Sequence, residues 1–309
     1  MSSSTLTTPA GGGPAGSAAA PARSRALQLV ADYVDLTKPK VQSLLLFTTV
    51  TTMEIAGSPS VGRIALTCVG GYLSAGGAGA VNHYWDRDID ARMKRTAQRP
   101  IPAGRVRPGA ALAFGIALAA LSFVLMSLTI NLLAASLALA GFAGYVGVYT
   151  IWLKRRTAQN IVIGGAAGAM PPLVAWAATR GSLSWTAVYL FAIVFYWTPP
   201  HFWALSLLMK DEYAEVGVPM LPVVRGERET RRQILLYSGL LYAVTQLPFC
   251  AGGFGIVYLI GSITLGLAFL AGAWMLLRRA DRRTALRLYL FSMLYLAMLF
   301  AVMVIDAKL

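Results

Sequence analysis

Charged residues are scarce in this chain, and acidic residues are the scarcest of them. Only 13% of the 309 residues are charged, with 13 Asp and Glu against 27 Lys and Arg. This low charged fraction, with 57% hydrophobic residues and a mean hydropathy of +0.61, excludes an ordinary soluble domain. The sequence therefore predicts an all-α polytopic membrane protein with the lipid bilayer as its surroundings.

Cysteine and histidine are also rare, with two of each. Cys68 and Cys250 both lie inside apolar runs, where a cysteine is more often a small buried hydrophobic residue than half of a disulfide. His83 and His201 stand alone in their segments, and a lone histidine is more often a hydrogen-bonded structural residue than a ligand. We assign no chemistry to the cysteines and keep both histidines as candidate substrate contacts.

The chain divides into a short tail and a long apolar part. Residues 1–25 are rich in Ser, Thr, Ala, Gly and Pro without periodicity, which predicts a disordered tail, with a transit peptide as the weaker alternative. Residues 26–309 are predicted to form one transmembrane domain. Its apolar runs are read as 41–57, 61–83, 109–128, 131–151, 159–178, 185–209, 234–252, 255–277 and 286–306.

Basic residues are distributed unevenly between the two ends of these runs. All but Arg63, Arg180 and Lys308, that is 24 of 27, belong to the N-terminal segment and the even-numbered loops. This bias predicts a cell-membrane protein with its N-terminus and acidic motifs in the cytoplasm and its C-terminus outside. Because the cations lie in short gaps between apolar runs, we do not expect nucleic acid as a partner. The acidic residues are expected to lie at the same edge as these cations.

The stretch 82–104, NHYWDRDIDARMKRTAQRPIPAG, carries the strongest chemical signal. Asn82, Asp86 and Asp90 recur every four residues, so a helix would align them on one face over roughly 12 Å. Arg95 and Arg99 follow closely. Oxygen ligands beside cations at a membrane edge suit Mg²⁺ shared with a polyphosphate. A charged cap on a membrane helix is the alternative. Asp88 would point away from this face and pair with an Arg.

A second, weaker cluster follows the sixth apolar run. Asp211 and Glu215 are again four residues apart, so the two carboxylate pairs could face each other across Mg²⁺ and a diphosphate. A solvated loop is an equally good reading of this pair alone. Further candidate substrate contacts lie in the fourth loop, where Lys154 or Arg155 could reach a phosphate oxygen. Tyr149 and Asn160 flank these cations.

At this point the sequence resembles a known family. NxxxDRDIDxxMxRTxxRP, starting at Asn82, is similar to the signature of the UbiA superfamily of intramembrane prenyltransferases. Within it, DRDID at 86–90, YTIWLKRRTAQN at 149–160, TPPHFWALSL at 198–207 and EVGVPMLPVV at 215–224 resemble the protohaem IX farnesyltransferases. The resemblance runs from about Thr37 to the last apolar run.

This resemblance implies a bundle of nine transmembrane helices around a central cavity. It implies catalytic Asn82, Asp86, Asp90 and Asp211, with Asp86, Asp90, Asp211 and Glu215 as Mg²⁺ ligands. Many superfamily members have a third acidic residue where this chain has Pro219, which puts the second metal's coordination in doubt.

The implied substrates are haem B and farnesyl diphosphate. Mg²⁺ and cations such as Arg95, Arg99 and Lys154 would neutralise the leaving diphosphate. A haem vinyl group would attack the farnesyl cation and water would add to the product. A haem A synthase or terminal oxidase is implied as the next partner.

Three alternatives stay open at this stage. A prenyltransferase for an aromatic quinone precursor would share every step before the acceptor, but it would need a cation for an aromatic acid and neither histidine. A cation transporter would be expected to bind near the middle of the bilayer on broken helices. A haem-binding assembly factor without catalysis would keep the histidines and would not need the carboxylates.

Overall fold

The structure is a computed structural model that describes residues 25–309, and the predicted tail lies outside these residues except for Arg25. The described chain is helical throughout and contains no strand, as the composition predicts. Its α-helices, in chain order, are α1 Arg25–Leu36, α2 Pro39–Ala56, α3 Val61–Trp85, α4 Arg87–Arg92, α5 Pro108–Thr129, α6 Leu132–Ala143, α7 Asn160–Gly168, α8 Met170–Arg180, α9 Trp185–Leu208, α10 Lys210–Glu215, α11 Leu221–Val224, α12 Gly226–Cys250, α13 Ile256–Arg279 and α14 Arg282–Lys308. A π-helical segment, Gly144–Leu153, continues α6.

Seven helical segments in the described residues are long and apolar enough to cross a membrane, so the protein is a multi-pass membrane protein. They are Val61–Trp85, Pro108–Thr129, Leu132–Leu153, Asn160–Arg180, Gly226–Cys250, Ile256–Arg279 and Arg282–Lys308. The predicted runs at 41–57 and 185–209 are also helical, as α2 and α9. The polar residues Lys40, Gln42 and Glu54 lower the hydropathy of α2, and Pro199, Pro200 and His201 lower that of α9. The count of nine spans and the central cavity stay predictions.

Contacts between helix ends show that the predicted loops alternate between two ends of the bundle. At one end, which we call the site end, Arg282 donates to Leu208 O at 3.2 Å, and Lys38 reaches Asn82. At the opposite end, Arg63 donates to Ala178 O at 3.1 Å. The loops that are rich in basic residues therefore lie at the site end of the folded molecule.

The acidic residues do not all follow that asymmetry, and the prediction that they share one edge was wrong. Glu54 lies at the opposite end, where Lys308 pairs with it at 3.0 Å. Asp306 lies there too, and it accepts hydrogen bonds from the backbone of Gly255 at 2.6 Å and Tyr258 at 3.0 Å. Glu54 thus provides a partner for the ammonium group of Lys308. Asp306 accepts from backbone N–H groups at the start of α13, which have no acceptor within the helix.

Small residues and prolines shape the helices around the site end. A Cβ on Gly77 would lie 2.5 Å from Gly115 O, so α3 and α5 pack backbone against backbone. The helix at 160–180 is interrupted at Ala169, two residues before Pro171, because a proline cannot donate the hydrogen bond that would continue it.

Candidate active site

Asp86 stands where α3 ends and α4 begins. Its backbone, at φ −88° and ψ 6°, breaks the single helix that the spacing predicted, because this conformation turns the chain after Trp85. The i to i+4 hydrogen bonds nevertheless persist, from Asp86 N to Asn82 O at 2.9 Å and from Asp90 N to Asp86 O at 2.8 Å. Asn82, Asp86 and Asp90 thus stay aligned although the helix is not continuous.

These three side chains are buried inside the bundle. Asn82, Asp86 and Asp90 are 3%, 1% and 3% exposed, and Asn82 Nδ2 donates to Asp86 Oδ2 at 2.7 Å. The same amide lies 3.2 Å from Thr150 Oγ1, a side chain that the π-helical segment brings to the site. Buried carboxylates are costly unless cations accompany them.

Four cations from three parts of the chain surround the two carboxylates. Lys154 forms an ion pair with Asp86 Oδ2, and Arg99 pairs with Asp90 Oδ2 at 2.6 Å. Arg155 lies 3.6 Å from Asp86 Oδ1, and Lys38 donates to Asn82 Oδ1 at 2.6 Å. The site is therefore a buried mixture of oxygen ligands and positive charge, the composition that suits a metal-bound polyphosphate.

Lys38 is a site residue that was not predicted as such, because in the sequence it counts only among the basic residues that predict membrane orientation. It occupies the left-handed region at φ 55° immediately before Pro39, so its side chain is directed by the junction of α1 and α2. Burial, with the nearby cations Arg99 and Lys154, lowers the pKa of Lys38 to about 7. A signal was present in the sequence, since Lys38 precedes the proline that opens the first long apolar helix.

Asp88 pairs with an arginine, as predicted. Arg155 binds it through two hydrogen bonds, at 2.6 and 2.8 Å. These bonds hold the carboxylate ionised and lower the pKa of Asp88 to about 2. Arg155 thus links the exposed Asp88 to the buried Asp86.

The second acidic motif is placed differently from the first. Asp211 and Glu215, on α10, are exposed and form no ion pair in the described chain. Glu212 between them has a buried Oε2 without a hydrogen-bond partner. The motif lies close to the first one, because Arg92 donates to Val216 O at 3.4 Å. The metal-ligand roles of Asp211 and Glu215 stay predictions.

Of the remaining candidates, His83 and Asn160 are buried with unsatisfied atoms. His83 is 2% exposed and neither ring nitrogen has a partner, and Asn160 is fully buried with a free Oδ1. Tyr149 packs against Gly164, where a Cβ would lie 2.5 Å from its ring. Arg95 is exposed and forms no ion pair within residues 25–309. The structure therefore brings Arg99, rather than Arg95, into the cluster.

His201 has the contacts of a structural residue. Its ring stacks on Trp197 at 4.3 Å and on Tyr289 at 4.9 Å between centroids. Its Nδ1 lies 2.6 Å from Ser292 Oγ on α14. None of these partners belongs to the Asn82 cluster. A substrate contact of His201 stays a prediction.

The cluster offers oxygen ligands but not a complete metal site. In the described part of the chain, no three His, Cys, Asp or Glu side chains are placed to hold a metal ion together. Asp86 Oδ1, however, is buried without a hydrogen-bond partner. Mg²⁺ in proteins is commonly held by one or two carboxylates, with waters and substrate phosphates as the other ligands. The residues present therefore fit a metal ion that arrives with a diphosphate.

Comparison with known proteins gives close sequence relatives. The chain is 55% identical over 280 residues to protoheme IX farnesyltransferase of Chloroflexus aurantiacus, covering 90% of this chain and 48% of that protein. It is 53% identical over 283 residues to protoheme IX farnesyltransferase of Symbiobacterium thermophilum, covering 90% and 95%. The chain thus spans about half the length of the first relative and nearly all of the second.

Solved structures match the fold at lower sequence identity. A chain from a study of digeranylgeranylglyceryl phosphate synthase in membranes has a TM-score of 0.75 at 21% identity, covering 91% of this chain and all of that one. A UbiA homolog from Archaeoglobus fulgidus, bound to GPP and Mg²⁺, has a TM-score of 0.64 at 16% identity, covering 88% and 99%. The profile of the UbiA prenyltransferase family matches residues 44–299. The chain belongs to the UbiA prenyltransferase family.

Proposed function

We propose that this protein is a protohaem IX farnesyltransferase, which converts haem B to haem O with farnesyl diphosphate as the donor. The observation that carries the proposal is the buried Asn82, Asp86 and Asp90 cluster with Lys38, Arg99, Lys154 and Arg155 around it. The high identity to relatives named protoheme IX farnesyltransferase supports the choice of substrate. The first of these relatives is about twice as long as this chain, so the farnesyltransferase activity of that whole protein is proposed for this chain.

In this proposal, Asp86 and Asp90 would hold Mg²⁺ together with Asp211 and Glu215. The metal ion would supply Lewis-acid stabilisation of the leaving diphosphate. The free Oδ1 of Asp86 and the oxygen-rich set around it support this assignment. The second motif lies on a six-residue helix beside the site, since Val216, the residue after this helix, accepts a hydrogen bond from Arg92.

The cations of the cluster would bind the diphosphate in the same place. Lys154 and Arg99 are paired with Asp86 and Asp90, which offsets the cost of burying these carboxylates. When a diphosphate enters, each cation can exchange a carboxylate oxygen for a phosphate oxygen without moving far. Negative charge that develops as the farnesyl C1–O bond breaks would meet cations already in position.

The acceptor in this proposal is a vinyl group of haem B. The C1–O bond of farnesyl diphosphate would break and diphosphate would leave, the vinyl carbon would attack C1 of the resulting farnesyl cation, and water would add to the cation formed on the haem side chain, releasing one proton. A free farnesyl cation would be hydrolysed, so the site must exclude bulk water before this attack. The burial of the cluster supports that requirement. His83, buried and unpartnered, would contact the haem.

The proposed location is the cell membrane, with the site end facing the cytoplasm. The concentration of basic residues at the end that holds the Asn82 cluster supports this orientation. Lys308 lies at the opposite end, beside Glu54, so in this orientation the C-terminus would lie outside. The product would pass to a haem A synthase or a terminal oxidase.

The test is an acceptor assay with membranes that contain the protein. These membranes are incubated with farnesyl diphosphate, Mg²⁺ and either haem B or 4-hydroxybenzoate, and the products are identified by mass. We expect haem to gain a farnesyl group and one water, with the benzoate unchanged. Prenylation of the benzoate alone would reassign the enzyme to quinone precursors. An Asp86→Asn protein in the same membranes gives the background rate.

A further inference from the structure

Helix α1 lies beside the bundle and buries the carboxylate of Asp32 as well as Leu36, while most of its exposed side chains are aliphatic, with Asp35 as the exposed acidic residue. Asp32 is 2% exposed, and Arg105 Nε donates to its Oδ1 at 2.8 Å. Val30 and Val34, on the outer side, are 62% and 46% exposed. A helix in water would place these faces the other way round. The outer face of α1 is therefore adapted to apolar surroundings.

The position of α1 places it at the edge of the membrane. Its 12 residues extend only about 18 Å, which is too short to cross a bilayer. Its C-terminal residue Leu36 packs in a small core with Ile101 and Val106 at the site end. An amphipathic helix at this level lies along the boundary between headgroups and acyl chains.

An apolar groove of about 450 Å³ separates α1 from α3 and α5. Its walls are almost wholly apolar and include Val30, Val34, Leu73, Phe114 and Leu118. At its inner end the hydroxyl groups of Thr37 and Tyr72 hydrogen bond to each other at 2.8 Å, so they offer no free polar atom that would demand water. A hydrocarbon chain fits such a groove better than a polar ligand.

Two cations without acidic partners flank this part of the molecule. Lys40 lies in the first turn of α2, shortly after α1 ends, and Arg107 immediately precedes the first residue of α5 without a capping hydrogen bond from its side chain. Both are exposed, and neither forms an ion pair in the described residues. Arg105, by contrast, forms an ion pair with Asp32. The free cations would attract an anionic headgroup at the level where α1 meets the bilayer.

We propose that α1 and this groove form a binding site for one anionic phospholipid of the leaflet at the site end. An acyl chain occupies the groove between α1, α3 and α5, and the phosphate of the headgroup pairs with Lys40 and Arg107. The site is separate from the Asn82 cluster, so it does not depend on the reaction that the protein catalyses.

Fluorescence quenching by brominated lipids tests this site. Cys68 and Cys250 are replaced by Ser, Val30→Cys is labelled with bimane, and the full chain is placed in nanodiscs containing equal amounts of phosphatidylglycerol and phosphatidylcholine. Only one of the two lipids carries bromine in its acyl chains. Leu267→Cys, on the exposed surface of α13, is the reference for bulk lipid.

At position 30 we expect brominated phosphatidylglycerol to quench at least about twice as strongly as brominated phosphatidylcholine. At position 267 the two should quench equally. Lys40→Gln with Arg107→Gln should bring the ratio at position 30 to one. The matched control, Arg283→Gln with Arg287→Gln, removes two exposed cations of α14 and should leave the ratio unchanged.

Two results would overturn the proposal. Equal quenching by the two lipids at position 30 would mean that α1 meets the bilayer without selecting an anionic lipid. Weak lipid quenching with strong quenching by acrylamide would place α1 in water. Both readings use only variants that elute as monodisperse nanodiscs, so a variant that fails to fold is recognised before the comparison.

Discussion

The two acidic motifs of this protein lie close together but in opposite environments. Asp86 and Asp90 are almost fully buried and paired with Lys154 and Arg99. Asp211 and Glu215 are exposed and unpaired in the described chain. Identical four-residue spacing therefore gives two different structures. The difference arises from what surrounds each motif.

The first motif is held in place by the protein itself. Its carboxylates lie at the end of a membrane helix, where ionised groups are stable only with cations beside them. The second motif lies on a short helix in contact with water, where no such pairing is needed. We infer that the first motif is assembled before substrate binds and that the second is completed by the bound metal and diphosphate.

The largest effect is expected from breaking the first motif. Asp86→Asn removes the charge that Lys154 neutralises and the free oxygen proposed for the metal. We expect turnover to fall by at least about 10³-fold, as losses of electrostatic stabilisation in active sites do. Haem O formation per mole of inserted protein measures it. Activity within tenfold of the parent would refute the metal assignment of Asp86.

A smaller loss of turnover is expected from substitutions in the second motif. Single variants there distinguish which of its three acidic residues binds the metal ion. Asp211→Asn should lower turnover about 10²-fold and raise the Mg²⁺ concentration required for half-maximal rate. Glu215→Gln should act in the same direction, and Glu212→Gln serves as the matched control. If Glu212→Gln has the greater effect, its buried, unpartnered Oε2 is the ligand and the sequence spacing misassigned the motif.

The apolar pattern predicted the helices well because hydrophobic length is a local property. The predicted run 61–83 corresponds to α3, Val61–Trp85, and 109–128 to α5, Pro108–Thr129. The seventh run, 234–252, missed the start of α12 at Gly226, since the charged residues that begin this helix are not apolar. An apolar run predicts the membrane-spanning part of a helix, but it does not predict how far the helix extends beyond the membrane through charged residues.

The site was only partly predictable because its members come from distant segments. Asp86 and Lys154 were found through their local motifs, yet nothing in the spacing showed that Lys38 would reach Asn82, 44 residues later. The sequence could not separate Arg95 from Arg99 either, since a loop has no fixed period. Which cation faces the cluster depends on the turns between Met93 and Gly104.

A pH-dependent effect should distinguish Lys38 from the other cations. Its pKa of about 7 means that the ammonium form is lost as the pH rises above 7. A bound diphosphate favours the protonated form, so the complex takes up a proton and affinity falls with rising pH, by up to about tenfold per unit. We expect KM for farnesyl diphosphate to rise between pH 7 and 9.

The matched variant for this effect is Lys38→Arg. A guanidinium stays protonated across this range, so the KM of Lys38→Arg should change little between pH 7 and 9. Lys38→Met should give a high KM at every pH. A parallel rise in the parent and in Lys38→Arg would show that another group titrates.

The smallest effect is expected at Asp88, which lies between the two buried carboxylates in sequence but outside the cluster. Its side chain is 57% exposed and bound to Arg155 at 2.6 Å. Exposed ion pairs contribute at most about 1 kcal/mol. Asp88→Asn should therefore leave the melting temperature nearly unchanged and lower turnover about threefold, because Arg155 loses one of the groups that hold it near Asp86. Turnover at several concentrations of farnesyl diphosphate measures this.

A loss at Asp88→Asn as large as that at Asp86→Asn would change the comparison between the two motifs. It would mean that the position of Arg155, rather than burial of the carboxylates, determines the rate. The double variant Asp88→Asn with Arg155→Lys separates these cases. If Asp88 acts only through Arg155, the double variant should be no slower than Arg155→Lys alone, since the two side chains act as one unit.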